Sequence, residues 1–145
     1  MNLKLGRVVT AVGVILATLF FSASAAQAYS RSFGLNTGDS GGAFYGGWGQ
    51  GVLNTSADDL AKCARLWVTS GRIWDEDADG HGVIAYMAYD DCATGARKYY
   101  KLGSVGGSGA TAALTTAAVS NAKHPSIMMC LYDGTSQMKS CASSW

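Results

Sequence analysis

Four cysteines constrain the fold of this 145-residue chain more than any other feature of its sequence. They are Cys63, Cys92, Cys130 and Cys141. An even number of cysteines in a short exported chain predicts two disulfides, with three connectivities possible in principle. A zinc site is disfavoured, because the sequence has no C-x-x-C pair and because His81 and His124 do not stand at zinc-finger spacing.

The first 28 residues have the three regions of a secretory signal peptide. Lys4 and Arg7 form the basic start, an apolar run extends from Val8 to Phe21, and Ala26-Gln27-Ala28 fits the cleavage pattern. The apolar run is shorter than the about 20 residues that a membrane-spanning helix needs. We expect cleavage after Ala28 and release of the mature chain, without a membrane anchor, to the extracellular space.

The composition favours strands and turns over helices. The chain has 19 glycines but only one glutamate (Glu76) and one proline (Pro125), and it contains many Thr, Val and Tyr residues. Loss of Lys4 and Arg7 with the signal peptide changes the formal net charge from +1 to −1. A near-neutral mature chain argues against nucleic acid or an anionic membrane surface as the main partner.

The mature chain is predicted to divide into two parts. Residues 29–55 are rich in glycine and aromatic side chains, and ordering so many glycines is costly, so we expect a flexible arm with one short edge strand at most. Residues 56–145 are predicted to form a disulfide-bonded β domain. A short helix of at most two turns is predicted to begin at Ser56, which precedes two aspartates.

The segment from Cys63 to Cys92 predicts an antiparallel hairpin. Two strand-like runs flank an acidic loop, and a register centred between Asp77 and Ala78 places Cys63 opposite Cys92. The same register places Arg65 opposite Asp90, and cross-strand pairs of these kinds fix a register.

Further strands are predicted over residues 97–102, 111–119, 126–132 and 137–142. The last two flank an Asp133-Gly134 turn, which would bring Cys130 to Cys141. The sequence therefore predicts an all-β fold, a small antiparallel sandwich or barrel of about six strands.

Gly38-Asp39-Ser40-Gly41-Gly42 is similar to the segment around the nucleophile of chymotrypsin-like serine proteases. That family places its catalytic histidine and aspartate before the serine, whereas both histidines of this chain follow Ser40. The same residues fit the nucleophile elbow of α/β hydrolases, but their flanks do not form the strand and helix that the elbow joins. We expect a Gly/Ser turn here, no catalytic residues, and a protein that is not an enzyme.

The acidic loop is a candidate calcium site. Asp75, Asp77 and Asp79, followed by Gly80, reproduce the first half of the calcium-loop pattern, in which alternate carboxylates bind the cation. The pattern then fails, because Tyr86 stands where the bidentate glutamate is expected. Ca²⁺ is the one cofactor that the sequence suggests, and a polar turn is the alternative.

Aromatic side chains supply the remaining indication of function. Trp67 and Trp74 are one residue out of phase, so they are predicted to point to opposite faces, one into the core and one outward as a binding anchor. Arg97-Lys98-Tyr99-Tyr100-Lys101 is expected to be a solvated strand face, with anionic or carbohydrate polymers of an envelope as possible targets.

These features predict a small secreted, non-enzymatic binding module that recognises an extracellular protein or a cell-envelope polymer. A secreted toxin or antimicrobial protein is the first alternative. A small secreted hydrolase is the second, and the missing catalytic triad argues against it.

Overall fold

A computed structural model describes residues 28–36, 47–76, 78, 80–114, 118–133 and 141–144. Strands dominate the described residues, and no helix among them is long and apolar enough to span a membrane. The strands are β1 (Tyr29–Asn36), β2 (Gly47–Thr55), β3 (Ala64–Asp75), β4 (Gly82–Asp91), β5 (Arg97–Gly106), β6 (Ala110–Ala113), β7 (Ala118–Tyr132) and β8 (Cys141–Ser143).

These strands form one open antiparallel sheet in the order β1-β2-β3-β7-β4-β5, with β6 paired to β3 and β8 paired to β7. The all-β prediction is confirmed, as are the disulfides Cys63–Cys92 and Cys130–Cys141. The sheet is not a closed barrel, and its described strands are hydrogen-bonded into one sheet rather than two. Residues 1–27 of the predicted signal peptide and the Gly38–Gly42 segment lie outside the described residues.

The predicted hairpin between β3 and β4 is wrong, although its disulfide is correct. Strand β7 lies between β3 and β4, and Ala122 pairs with Ala64 on one side and with Asp91 on the other. The disulfide therefore joins strands that flank a third one. Arg65 does not face Asp90, which pairs with Arg97 of β5 instead.

Strand β7 takes this central position because its second half is apolar. Ile127, Met129 and Leu131 are almost fully buried, and in register they oppose Met87, Ala85 and Val83 of β4. This pairing buries a continuous apolar face between two long strands.

The described parts of the predicted arm belong to the sheet. Strands β1 and β2 pair along their whole length, and Phe33, Leu35 and Leu53 are buried in the common core. The structure therefore differs from the expectation of one short edge strand at most, because these side chains offset the entropic cost of ordering the glycines. Residues 37–46 lie outside the described part of the chain, and the domain boundaries stay a prediction.

The other local predictions have mixed outcomes. Strands at residues 97–102 and 126–132 are confirmed as parts of β5 and β7. The single strand predicted over 111–119 is divided, because β6 ends at Ala113 and β7 begins at Ala118. Residues 56–62 form turns rather than the predicted short helix.

Candidate ligand-binding face

An irregularity in β3 places Trp67 and Trp74 on the same side of the sheet, although the sequence predicts opposite faces for them. Ser70 has a φ of 53°, and the register with β2 shifts between Thr69 and Arg72. Such a bulge adds one residue and reverses the alternation of side chains. Trp67 therefore shares the outward face with Trp74, and the prediction of opposite faces is wrong.

Strand β2 presents a third tryptophan to the same face. Its first three inward positions are the buried glycines Gly47, Gly49 and Gly51, followed by Leu53 and Thr55, and its outward positions include Trp48 and Gln50. Trp48 pairs with Trp74 in register, and the centroids of their rings lie 4.3 Å apart with an angle of 42° between their planes. This alternation is the reverse of an ordinary amphipathic strand, which directs its large apolar side chains inward.

We call the outward side of β1, β2, β3 and β6 the tryptophan face. Register and alternation assign the following residues to it: Ser30, Ser32, Gly34 and Asn36 of β1; Trp48, Gln50, Val52 and Asn54 of β2; Arg65, Trp67, Thr69, Arg72 and Trp74 of β3; Thr111 and Ala113 of β6. Its side chains are mostly hydrogen-bonding groups arranged between indole rings.

A hydrogen-bond network fixes part of this face. The Ser30 hydroxyl donates to Asn54 Oδ1 at 2.7 Å, and Asn54 Nδ2 donates to Thr69 Oγ1 at 3.0 Å. The network crosses three strands, so the side chains next to Trp67 are held in place before a ligand arrives. Such preorganisation reduces the entropy lost on binding.

Two shallow depressions open along the face. One, of about 280 Å³, is lined by Ser56, Arg65, Trp67 and Ala118. The other, of about 240 Å³, lies at the bulge and includes Gln50, Val52 and Ser70 in its lining. Both are too small to enclose a drug-sized ligand, whose pockets measure about 300–1,000 Å³, and they suit parts of a longer molecule that lies along the face.

Two arginines of the face have free guanidinium groups. The side chains of Arg65 and Arg72 make no hydrogen bond or ion pair with any other described residue. Each follows the outward alternation, two positions before a tryptophan of the same strand. The cationic charge of these arginines is therefore available to a ligand.

The candidate calcium loop is only partly within the described residues. Asp75 is buried, and its Oδ2 accepts a hydrogen bond from the Gly107 amide at 2.8 Å. The Asp75 backbone carbonyl accepts from Gly109 at 2.7 Å, so this residue holds the β5–β6 turn. Asp77 and Asp79 lie outside the described part, within which no three candidate metal ligands converge. The calcium site stays a prediction.

A glycine-lined cleft of about 420 Å³ adjoins this loop. Its lining includes His81, Tyr132 and Asp133 as well as Gly82 and Gly106. A Cβ atom at Gly82 would lie 2.6 Å from the Tyr132 ring, so the glycine allows the ring to lie against the strand. The cleft places His81 beside a tyrosine, which the sequence alone did not predict.

The base-rich segment 97–101 lies on β5, the last strand of the sheet order, and its first two cations are paired. Arg97 Nη1 lies 3.0 Å from Asp90 Oδ1, and Lys98 Nζ lies 2.6 Å from Asp91 Oδ2. His124 Nδ1 lies 2.9 Å from the other oxygen of Asp90. This pairing supports the solvated strand face expected from the sequence.

Asp90 and Asp91 should make the stability of the fold depend on pH in the acidic range. Hydrogen bonds from His124 and Arg97 lower the pKa of Asp90, and those from Lys98 and Thr94 lower the pKa of Asp91 to about 2. Depressed folded-state pKa values stabilise the fold above the unfolded value of about 3.9, and this stabilisation is lost as the pH falls from about 4 towards 2. We expect the melting temperature to decrease in that window.

The Asp91→Asn variant should show a smaller decrease over the same window, and Lys98→Gln should do the same because it removes the partner of Asp91. Melting curves recorded by circular dichroism between pH 5 and pH 2 measure this. A decrease in Asp91→Asn equal to that of the parent chain would show that the ion pair does not contribute.

Comparison with protein-family models, with curated proteins and with solved structures finds no match for this chain. The site must therefore be interpreted from its own geometry.

Of the residues on the tryptophan face, sequence reasoning singles out Trp67 and Trp74 but not Trp48, Gln50 and Arg72. Trp48 lies in the segment predicted to be a flexible arm, because glycines surround it. The strict alternation of residues 47–52, glycine at every second position and a larger residue between, is the period of a strand and could have identified β2.

Proposed function

We propose that this protein is a secreted, non-enzymatic binding module that holds an extended polymer of the cell envelope on its tryptophan face. The observation that carries the proposal is the reversed alternation in the first half of β2, which leaves Trp48 outward against Trp74 while Gly47, Gly49 and Gly51 face inward. A strand that served stability alone would bury its largest side chain. Trp48 and Trp74 are half-buried, and partly exposed indole rings on a fixed sheet are common binding anchors.

The surroundings of the tryptophans favour a polymer over a protein partner. Val52 is the only branched aliphatic side chain among the described outward positions, and the others are mainly hydroxyl, amide or guanidinium groups. The centres of protein–protein interfaces are apolar and poor in charge. Rows of hydrogen-bond donors and acceptors between aromatic rings suit a ligand with many hydroxyl groups and an apolar ring face.

Export and the absence of catalysis are parts of the same proposal. The two disulfides are consistent with an extracellular protein. The signal-peptide pattern of residues 1–28 supports export. Both histidines follow Ser40, which is the reverse of the order in the serine-protease triad and supports a binding role rather than hydrolysis.

Purified cell walls provide a test with the mature protein in a sedimentation assay. We expect Trp74→Ala and Trp48→Ala each to weaken binding at least tenfold, because truncation of a central aromatic anchor costs about 2 kcal/mol or more. The matched control is Tyr99→Ala, which removes an aromatic side chain that is 52% exposed on β5, away from the tryptophan face. Equal binding by all three variants would contradict the proposal.

A further inference from the structure

Strand β3 carries the same three-residue pattern twice. Arg65-Leu66-Trp67 and Arg72-Ile73-Trp74 each consist of an arginine, a buried aliphatic residue and a tryptophan, and they begin seven positions apart. In a regular strand an odd spacing directs two copies to opposite faces. The bulge at Ser70 restores the phase, so both copies present their arginine and tryptophan on the tryptophan face.

We infer that the two copies are two subsites for an anionic polysaccharide, in which each tryptophan stacks on a sugar ring and each arginine binds a carboxylate or sulfate. This inference rests on the proposed function and specifies the chemistry of its ligand. Residues two apart on one face of a strand lie about 7 Å apart, so an arginine and its tryptophan can contact one sugar unit or two adjacent ones.

The charges of the tryptophan face favour a ligand of negative charge. Neither Arg65 nor Arg72 has a side-chain partner among the described residues, and the described outward positions include no carboxylate. Arginine presents a planar set of donors that matches a carboxylate or sulfate in a bidentate arrangement. A neutral glycan would leave both guanidinium groups without a partner.

The spacing selects a polymer over a small ligand. Seven residues of strand place the two subsites about 20 Å apart, which a chain of several sugar units spans and a monosaccharide does not. A ligand that engages both subsites gains affinity through effective concentration without further contacts. The depression between them, at Gln50 and Val52, leaves room for the intervening units.

Single-stranded nucleic acid also combines rings with anions, but the rest of the molecule favours a glycan. Proteins that bind single strands line a groove with many cations. Here the described face has two free arginines in a mature chain of formal net charge −1 that is expected outside the cell.

The test uses the mature protein and four soluble polymers of matched length, with affinity measured by calorimetry at two salt concentrations. The polymers are dextran sulfate, polygalacturonate, neutral dextran and oligothymidylate. We expect at least one of the two anionic glycans to bind at least tenfold more tightly than neutral dextran and than oligothymidylate, with an affinity that falls as salt increases. The two anionic arms distinguish sulfate from carboxylate as the preferred group.

The substitutions Arg65→Gln and Arg72→Gln should each weaken that binding at least tenfold, and Arg72→Lys should restore it only in part. Lys101→Gln, which removes the same charge from exposed β5, is the matched control and should bind as the parent chain does. A disaccharide of the preferred polymer should bind twice per protein, once at each subsite.

The outcomes separate this inference from the proposed function. Equal binding of dextran and of both anionic glycans, lost in Trp74→Ala but kept in Arg72→Gln, would overturn the anionic subsites and leave the binding face intact. Binding that survives loss of the tryptophans would overturn the proposed function as well. Preferred binding of oligothymidylate, or no binding of any glycan at millimolar concentration, would overturn the inference.

Discussion

Removal of the Cys63–Cys92 disulfide should destabilise the fold more than removal of Cys130–Cys141. The first closes a separation of 29 residues and the second one of 11. In the chain-entropy account these bonds stabilise by about 3.6 and about 2.8 kcal/mol. Urea unfolding of the paired alanine variants, Cys63→Ala with Cys92→Ala and Cys130→Ala with Cys141→Ala, measures both losses.

The difference has a structural component too. Cys130 and Cys141 pair in register on the neighbouring strands β7 and β8. Cys63 and Cys92 connect the strands on either side of β7, where the Cys92 amide donates to the Asn121 carbonyl at 2.9 Å. A larger loss for the second pair would contradict this account, and a disulfide map of the unreduced protein that linked Cys63 to Cys130 would contradict the topology itself.

The cysteine pairing could be predicted from the sequence, but the strand order could not. A register that satisfies Cys63 and Cys92 is compatible with adjacent strands and also with strands that flank a third one. What decides between them is the burial of Ile127, Met129 and Leu131 against β4, and these residues lie about 35 positions or more beyond it in the chain. Patterns within one segment carry no information about such distant partners.

The candidate face was predictable only in part, for two local reasons. The bulge at Ser70 depends on a left-handed backbone conformation that a serine seldom adopts. No sequence pattern therefore predicts that the alternation of side chains is reversed between Trp67 and Trp74. The glycines of β2 were interpreted as a signal of flexibility. In the structure they make room for Phe33 and Met129, which occupy the space that side chains would fill.

This role of the glycines predicts that Gly51→Ala destabilises the protein by about 2 kcal/mol, within the usual range for overpacking a core. An added Cβ would lie 2.6 Å from Cζ of the buried Phe33 ring and 3.0 Å from the Gly71 Cα atom. The ring cannot leave without exposing apolar surface, and the backbone of β3 cannot move without disturbing its pairing with β2. Urea unfolding should show a lower midpoint with an unchanged slope.

Gly34→Ala is the matched control, because Gly34 lies next to Phe33 on β1 and faces outward. A Cβ there would meet no atom within 4 Å, and we expect a change of no more than about 0.5 kcal/mol. If both substitutions were equally mild, the inward side of β2 would not be closely packed. The outward orientation of Trp48 would then not be fixed by glycines that occupy the inward positions. The main argument for the tryptophan face would fail.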